Sequence, residues 1–332
     1  MIVASHTHNA PALDDTKPML GECSPDYVTF VAERIAGCLV TLFKNKAVPI
    51  TPFSHGQAPA AGAVYRRRWI LGFDFLKLRF SRRTVMAPNS TQNIANNLTM
   101  VILADDDENK RAVLWSWPCH AVSEPNAEAI SADFPGAVRS HIRAHLGDPS
   151  LAVFYFPGLS GDIRPASLRH LSIHKIGAWI GLGSRFSKPT RKIAEALQAN
   201  LFSALDRAYA ESYTYDRNSE VIFTRRRRSL SLGDIRTEAG ELTPITCDEW
   251  HIGPLKIKAV SAELAGDYVR YEDCGNPTTF LTGCAGQVFG YIPTDSQLLF
   301  GGYEVDGFAS SFSIPGSFHG HIESRVFELI WA

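Results

Sequence analysis

The chain has 332 residues, 45% of them hydrophobic and 20% charged, enough for a sizeable core in one large domain or two modest ones. Its 33 basic and 34 acidic side chains leave a net charge of −1, which excludes a broad electrostatic field for nucleic acid or an anionic membrane and points to a small-molecule partner. No basic segment runs into a short apolar stretch at the start, and no run of about 18 uncharged apolar residues occurs, so the sequence argues against export and membrane spanning and for the cytoplasm.

The opening run "MIVASHTHNAP" reads as an apolar strand that ends in two histidines, His6 and His8. Side chains two apart in an extended segment point the same way, so the pair can share a metal or divide ligand and proton-transfer work. A solvated pair near a terminus has the same spacing. Next, "SPDYVTFVAERIAGCLVTLF" predicts a helix: Ser24 caps it, Pro25 takes the first position, and Val28, Val31, Ile35, Leu39 and Leu42 share one face.

The Pro/Gly-rich segment from Pro52 to Gly62 is too short to act as a linker, which favours a single domain. The runs "NLTMVILAD", "AVLWSW", "LAVFYFPG", "SEVIFTRRRRSLSL" and "LKIKAVSA" predict strands. Helices are predicted over "ADFPGAVRSHIRAHLGD" and from about Lys188 to Tyr209, where Ile193, Leu197, Leu201 and Leu205 recur every fourth residue. This interleaving implies a layered α/β domain with mixed β-sheets flanked by helices.

Polar groups follow several of the apolar runs. His120 comes after "WSWPC", where it is either a core imidazole bonded to a carbonyl or a ligand; "GLSGDIRP" brings Gly161, Asp162 and Arg164, as an anion-binding turn or a loop with an internal ion pair. Glu263 follows "IKAVSA", as a helix cap or a functional carboxylate, and Tyr291 sits in "GQVFGYIPT". The run Arg225 to Arg228 reads as a sheet edge split over two faces, since no basic stripe with interleaved aromatics continues it. The six cysteines, Cys23, Cys38, Cys119, Cys247, Cys274 and Cys284, include no Cys-x-x-Cys pair and read as reduced thiols.

Taken in order, these segments resemble the neutral/alkaline non-lysosomal ceramidases, a family of zinc-dependent amide hydrolases. "SHTHNAP" is similar to the family's Thr-His-Thr-His-Ser-Gly-Pro, "CHAVSEPN...ISADFPG" to its His-Pro segment leading to Ser-Ala-Asp-x-Pro-Gly, and "GLSGDIRP" to its Gly-Asp-x-Ser-Pro turn. "VSAELAGDY" resembles its Leu-Ser-Gly-Glu segment, and "GYIPTDSQLLFGGYEV" its late Tyr-x-x-Thr...Tyr-Glu segment. The resemblance implies a ceramidase-like catalytic domain over 1–332, with Zn2+ held by His6, His120, Glu263 and Tyr291. It further implies that His8 transfers protons and that Arg67, Tyr303 and Arg164 bind the scissile carbonyl or its developing charge.

Three departures shape the expected function. Arg164 stands where the family has serine, which suggests a substrate with a carboxylate or phosphate rather than neutral ceramide. The chain begins at the His-Thr-His segment, without the family's N-terminal segment, and ends about thirty residues after Tyr303, before the family's immunoglobulin-like domain. The expected reaction is cleavage of an N-acyl linkage by metal-activated water. The alternatives are acyl transfer or amide formation in specialised metabolism, and a non-catalytic metal- or ligand-binding homologue. A serine or cysteine hydrolase is weaker, because no Gly-x-Ser-x-Gly elbow is present and adjacency of Cys119 and His120 does not make a triad.

Overall fold

Strand segments that are apolar at nearly every position must be covered on both faces, whereas alternating ones need cover on one. The structure, a computed structural model, describes residues 1–45, 47–50, 53–74, 78–168, 185–215, 223–240, 242–271 and 278–332. The first half contains helix α1 (Pro25–Lys44), strands β1 (Phe53–Pro59), β2 (Ala63–Asp74), β3 (Arg79–Asn89), β4 (Asn97–Ala104) and β5 (Lys110–Trp117), helix α2 (Asp133–His145), and strands β6 (Ala152–Pro157) and β7 (Ile163–Pro165). Helix α3 (Arg191–Ala210) follows, then β8 (Tyr213–Thr214), β9 (Phe223–Leu230), β10 (Ile245–Ile252), β11 (Leu255–Val260), β12 (Glu263–Leu264), β13 (Thr279–Thr282), β14 (Tyr291–Ile292) and a C-terminal helix over Ile322–Trp331.

A five-stranded sheet has the order β6-β5-β4-β1-β8, and a four-stranded sheet the order β13-β11-β10-β9. Both are mixed: β5 with β6 and β11 with β13 are parallel, the other pairs antiparallel. In β4, Leu98, Met100 and Ile102 join Trp115, Trp117 and Phe134 in a core shared with Leu201 and Leu205 of α3, while Val101 turns to the opposite face. There Val101 and Leu114 meet Leu255, Ile257 and Phe280 of the second sheet. The far face of that sheet packs Ile245, Cys247 and Val260 against Val326 and Leu329 of the C-terminal helix. The layers therefore run helices, sheet, sheet, helix, and the two-faced burial of β4 accounts for its unbroken apolar sequence.

Two smaller pairings lie at the end of these layers: β3-β2-β7, and the two-residue strands β12 and β14. They carry Arg66, Arg164, Glu263 and Tyr291 of the candidate site.

Some sequence expectations need correction. The opening run forms no regular strand; it makes isolated bridges, Val3 to Ala285 and Thr7 to Ala121, with His6 at a left-handed φ of 60°. Helix α1 forms as its cap predicts, with Ser24 Oγ accepting from the Tyr27 amide, but its apolar face is not packed: Leu39 is 48% and Leu42 67% exposed. Capping and periodicity are local signals, whereas cover for the face depends on the rest of the chain. Strand β9 is a sheet edge, with Arg225 and Arg227 bonded to Asp248 and Arg228 to Glu249. No described helix is long and apolar enough to cross a membrane.

Candidate metal centre

The N-terminal segment is threaded between two loops. The Ala4 amide donates to the Cys284 carbonyl and the His8 amide to that of Ala121, while Thr7 Oγ1 donates to the Ser131 carbonyl at 2.7 Å. These ties, with the positive φ at His6, aim its ring inward, where Nδ1 lies 3.1 Å from Cys284 Sγ. A non-glycine residue in the left-handed region costs free energy that the surrounding structure must offset. Here the result is a placed imidazole.

His120 comes three residues after the end of β5 and is 1% exposed. Its Nδ1 lies 3.0 Å from the Ile163 carbonyl, which can only accept, so the proton sits on Nδ1 and Nε2 carries the lone pair, facing Arg66 Nη1 and Tyr291 Oη. Burial, then the positive Arg66 and neighbouring His6, push this imidazole down to about 3. It is the neutral form that a metal requires.

Glu263 and Tyr291 stand side by side because β12 and β14 pair in parallel with these two residues in register. Gly161 makes the close approach behind them, since a Cβ there would lie 2.7 Å from the Leu264 carbonyl oxygen. Burial opposes ionisation of Glu263, yet His6, His120 and Arg66 hold its carboxyl down at about 2. For the Tyr291 phenol, burial and the charge of Glu263 work the other way and raise it, against the pull of Arg66.

Glu263 Oε2 lies 3.3 Å from His6 Nε2 and 3.4 Å from His120 Nε2, and His120 Nε2 lies 3.3 Å from Tyr291 Oη. A tetrahedron with bonds of about 2.0–2.1 Å has edges of about 3.3–3.4 Å. Moreover, His6 Nε2 and Glu263 Oε2 are buried, and among the described residues neither makes a hydrogen bond of normal geometry. Two orphaned buried groups facing one another at a tetrahedral edge fit a divalent cation between them. His8 belongs to the same cluster: the ligand nitrogens of His6, His8 and His120 lie within 4.8 Å of one another. It is the open member, exposed as a residue, although desolvation and then His6 lower its imidazole to about 4.

The arginine beside this centre is Arg66, not the expected Arg67. Arg66 Nη1 lies 3.3 Å from His120 Nε2, and its guanidinium sits 5.2 Å from the Tyr291 ring centre and 5.5 Å from that of Tyr303. Arg67, one pleat further, donates to the Gly301 carbonyl at 2.6 Å and lines a surface groove with Trp69, Arg82, Thr84 and Phe300. Strand pairing between Tyr65 and Arg67 is irregular, so an Arg-Arg-Arg run alone gave no means of choosing. Glu304 joins the two arginines, accepting from Arg66 Nε at 2.7 Å and from Arg67 Nη1.

Arg164 stacks over Phe186 at 4.5 Å, and its charge is felt at both Arg66 and His8. Asp162 points away into the interior, bonded to the Gly266 amide and Gln297, with burial foremost raising its carboxyl to about 6. Cys119 is buried, its thiol pushed well up and donated to the His120 carbonyl, which suits a packed side chain rather than a nucleophile.

Asp133, in "SADFPG", clamps the loop that follows His120. Its carboxylate accepts from the amides of Ser123, Glu124 and Phe134 at 2.6–2.8 Å and from Ser123 Oγ. Asp133→Ala is expected to cost about 2–4 kcal/mol by orphaning these donors, read as a lower urea midpoint, with Asp133→Asn intermediate. A midpoint unchanged in both variants would contradict this role.

The chain superposes on the crystal structure of a neutral ceramidase from Pseudomonas aeruginosa with a TM-score of 0.63 at 13% identity, over 95% of this chain and 57% of that one. A ceramidase complexed with C2 gives 0.62 at 14% identity, over 95% and 58%. The fold is that of the neutral ceramidases. This chain spans a little over half the length of the two ceramidases. No protein-family profile matches the chain, and no curated protein does. The likeness is thus one of backbone geometry, at 13% and 14% identity.

Proposed function

We propose that the chain is a zinc-dependent hydrolase of an N-acyl linkage, acting on a small molecule that carries an anionic group. The observation that carries the reading is the orphaned His6 Nε2 set 3.3 Å from the orphaned Glu263 Oε2, with His120 and Tyr291 completing the donor set. Two imidazoles, a carboxylate and a phenol are nitrogen and oxygen donors suited to zinc. When bound, zinc supplies Lewis acidity and lowers the pKa of water toward about 7.

The chain's own groups then divide the remaining work. His8, open to solvent and adjacent to the ligand histidines, is neutral, takes a proton from the attacking water at its ring nitrogen and delivers it to the leaving amine as the C–N bond breaks. Arg66 and Tyr303 present donors to negative charge on the scissile carbonyl oxygen, the part first ascribed to Arg67. Among the described residues Arg66 Nη2 and Arg164 Nε are buried without a hydrogen-bond partner, so Arg66 keeps an N–H for the carbonyl oxygen and Arg164 one for a carboxylate or phosphate. A neutral sphingolipid offers Arg164 nothing comparable.

The reading is tested by turnover of N-acyl amino acids and neutral N-acyl amines of equal chain length, with native chain and Arg164→Ala. The acidic substrates are expected to be preferred, and the variant to raise their KM by about 10- to 100-fold, as loss of one charged hydrogen bond of about 1.5–3 kcal/mol implies. Equal turnover of both classes, unaffected by Arg164→Ala, would exclude the anionic substrate; synthesis from amine and acyl donor without hydrolysis would favour acyl transfer.

A further inference from the structure

A second convergence of metal-binding side chains lies on the helical layer. His141 and His145 are four residues apart on α2 and therefore share one face, and α3 brings Asp206 against them. His141 Nε2 is 2.8 Å and His145 Nδ1 3.2 Å from the same oxygen, Asp206 Oδ1. The three ligand atoms all lie within 4.8 Å of one another.

The two rings are held in place. His141 lies flat on Phe202, with centroids 4.2 Å apart and planes within 3°, and His145 stands edge-on to Tyr209 at 5.2 Å. Phe202, Asp206 and Tyr209 sit on one face of α3 at spacings of four and three, so this helix supplies both an anionic ligand and two aromatic walls. Fixed rotamers reduce the entropy lost on ligation. The side chains of His141, His145 and Asp206 are 23%, 36% and 45% exposed, which leaves room for an ion to approach and for water to fill its remaining positions.

We infer that His141, His145 and Asp206 form a second, surface site for a divalent transition metal of the zinc class, pinning α2 to α3. Imidazole with carboxylate selects zinc, copper or nickel over magnesium or calcium, which prefer all-oxygen shells. The site is structural. It lies toward the C-terminal end of the helix whose first residue, Asp133, clamps the loop after His120, about 12–18 Å of helix rise away. Binding would stiffen that helix without touching the reacting groups, and the inference does not depend on the activity proposed above.

The test uses untagged, chelator-stripped protein titrated with Zn2+, comparing the native chain with His145→Ala and Asp206→Asn, both at accessible positions. The native chain is expected to take up one equivalent more than either variant. It is also expected to gain a few degrees in melting temperature at about a hundredfold excess of Zn2+ over the dissociation constant, an increment both variants lose. Glu263→Gln should retain this increment, which separates the surface ion from the buried centre. Equal uptake by all three chains, or a melting temperature that zinc raises equally in each, would overturn the inference and leave the histidines as hydrogen-bonding partners of Asp206.

Discussion

Purified without a histidine tag, Glu263→Gln is expected to lose the metal of the buried centre and nearly all hydrolytic activity. Glutamine has the size of glutamate, so the strand pairing of Glu263 with Tyr291 and the bond from its amide to the Gly290 carbonyl are preserved. What disappears is the carboxylate that His6 and His120 both face. A neutral amide is a poor ligand, and His6, His120 and Tyr291 alone would bind a divalent cation too weakly to retain it. Loss of several kcal/mol of Lewis-acid stabilisation corresponds to about 10²- to 10⁴-fold in rate. Elemental analysis read alongside turnover checks this, with the uptake at His141, His145 and Asp206 subtracted through the His145→Ala background. Retention of the buried ion and of full activity in Glu263→Gln would refute the assignment of the centre.

The legible part of this molecule was the part governed by local chemistry. Strands β4, β5, β6 and β11 and helices α2 and α3 coincide with the predicted runs to within a few residues, because caps and periodicity are written in adjacent positions. The segments holding His6, His120, Glu263 and Tyr291 were legible as polar groups just beyond apolar runs. Their convergence was implied only by the resemblance to the ceramidases, because local chemistry does not say which strand ends the topology brings together. The extended same-face argument for His6 and His8 assumed a strand; the two rings instead meet at 5.2 Å because His6 adopts a left-handed backbone. Strands β2 and β3 escaped prediction because charged runs such as Arg66 to Arg68 disguise them. The choice between Arg66 and Arg67 turns on a register irregularity that composition does not record. The signal for the surface site was present in the sequence as His141 and His145 at helical spacing, but Asp206, 61 residues beyond His145, becomes a partner only once α3 has docked.

Glu304→Ala is expected to be the most destabilising single change near the site. Glu304 is 2% exposed and is shared by two arginines that are themselves 5% and 6% exposed, Arg66 and Arg67. A buried ion pair adds little net stability compared with an apolar replacement, but removal of one partner strands the other charge. Here two guanidinium groups lose one carboxylate, and Arg67 keeps only its bond to the Gly301 carbonyl among those described for its Nη2. The cost should reach about 3–5 kcal/mol, a fall in melting temperature on the order of 10 °C. Arg66 would also lose the restraint that sets it over Tyr291 and Tyr303, so kcat should fall more than KM rises. Because a structural collapse alone would lower both stability and activity, the informative comparison adds Arg67→Met to Glu304→Ala. Removing the surplus charge should restore part of the stability while leaving Arg66 unpaired and kcat low. If Glu304→Ala melts with the native protein, the carboxylate does not hold the arginine pair; if the double variant recovers kcat along with stability, Arg66 needs no such restraint.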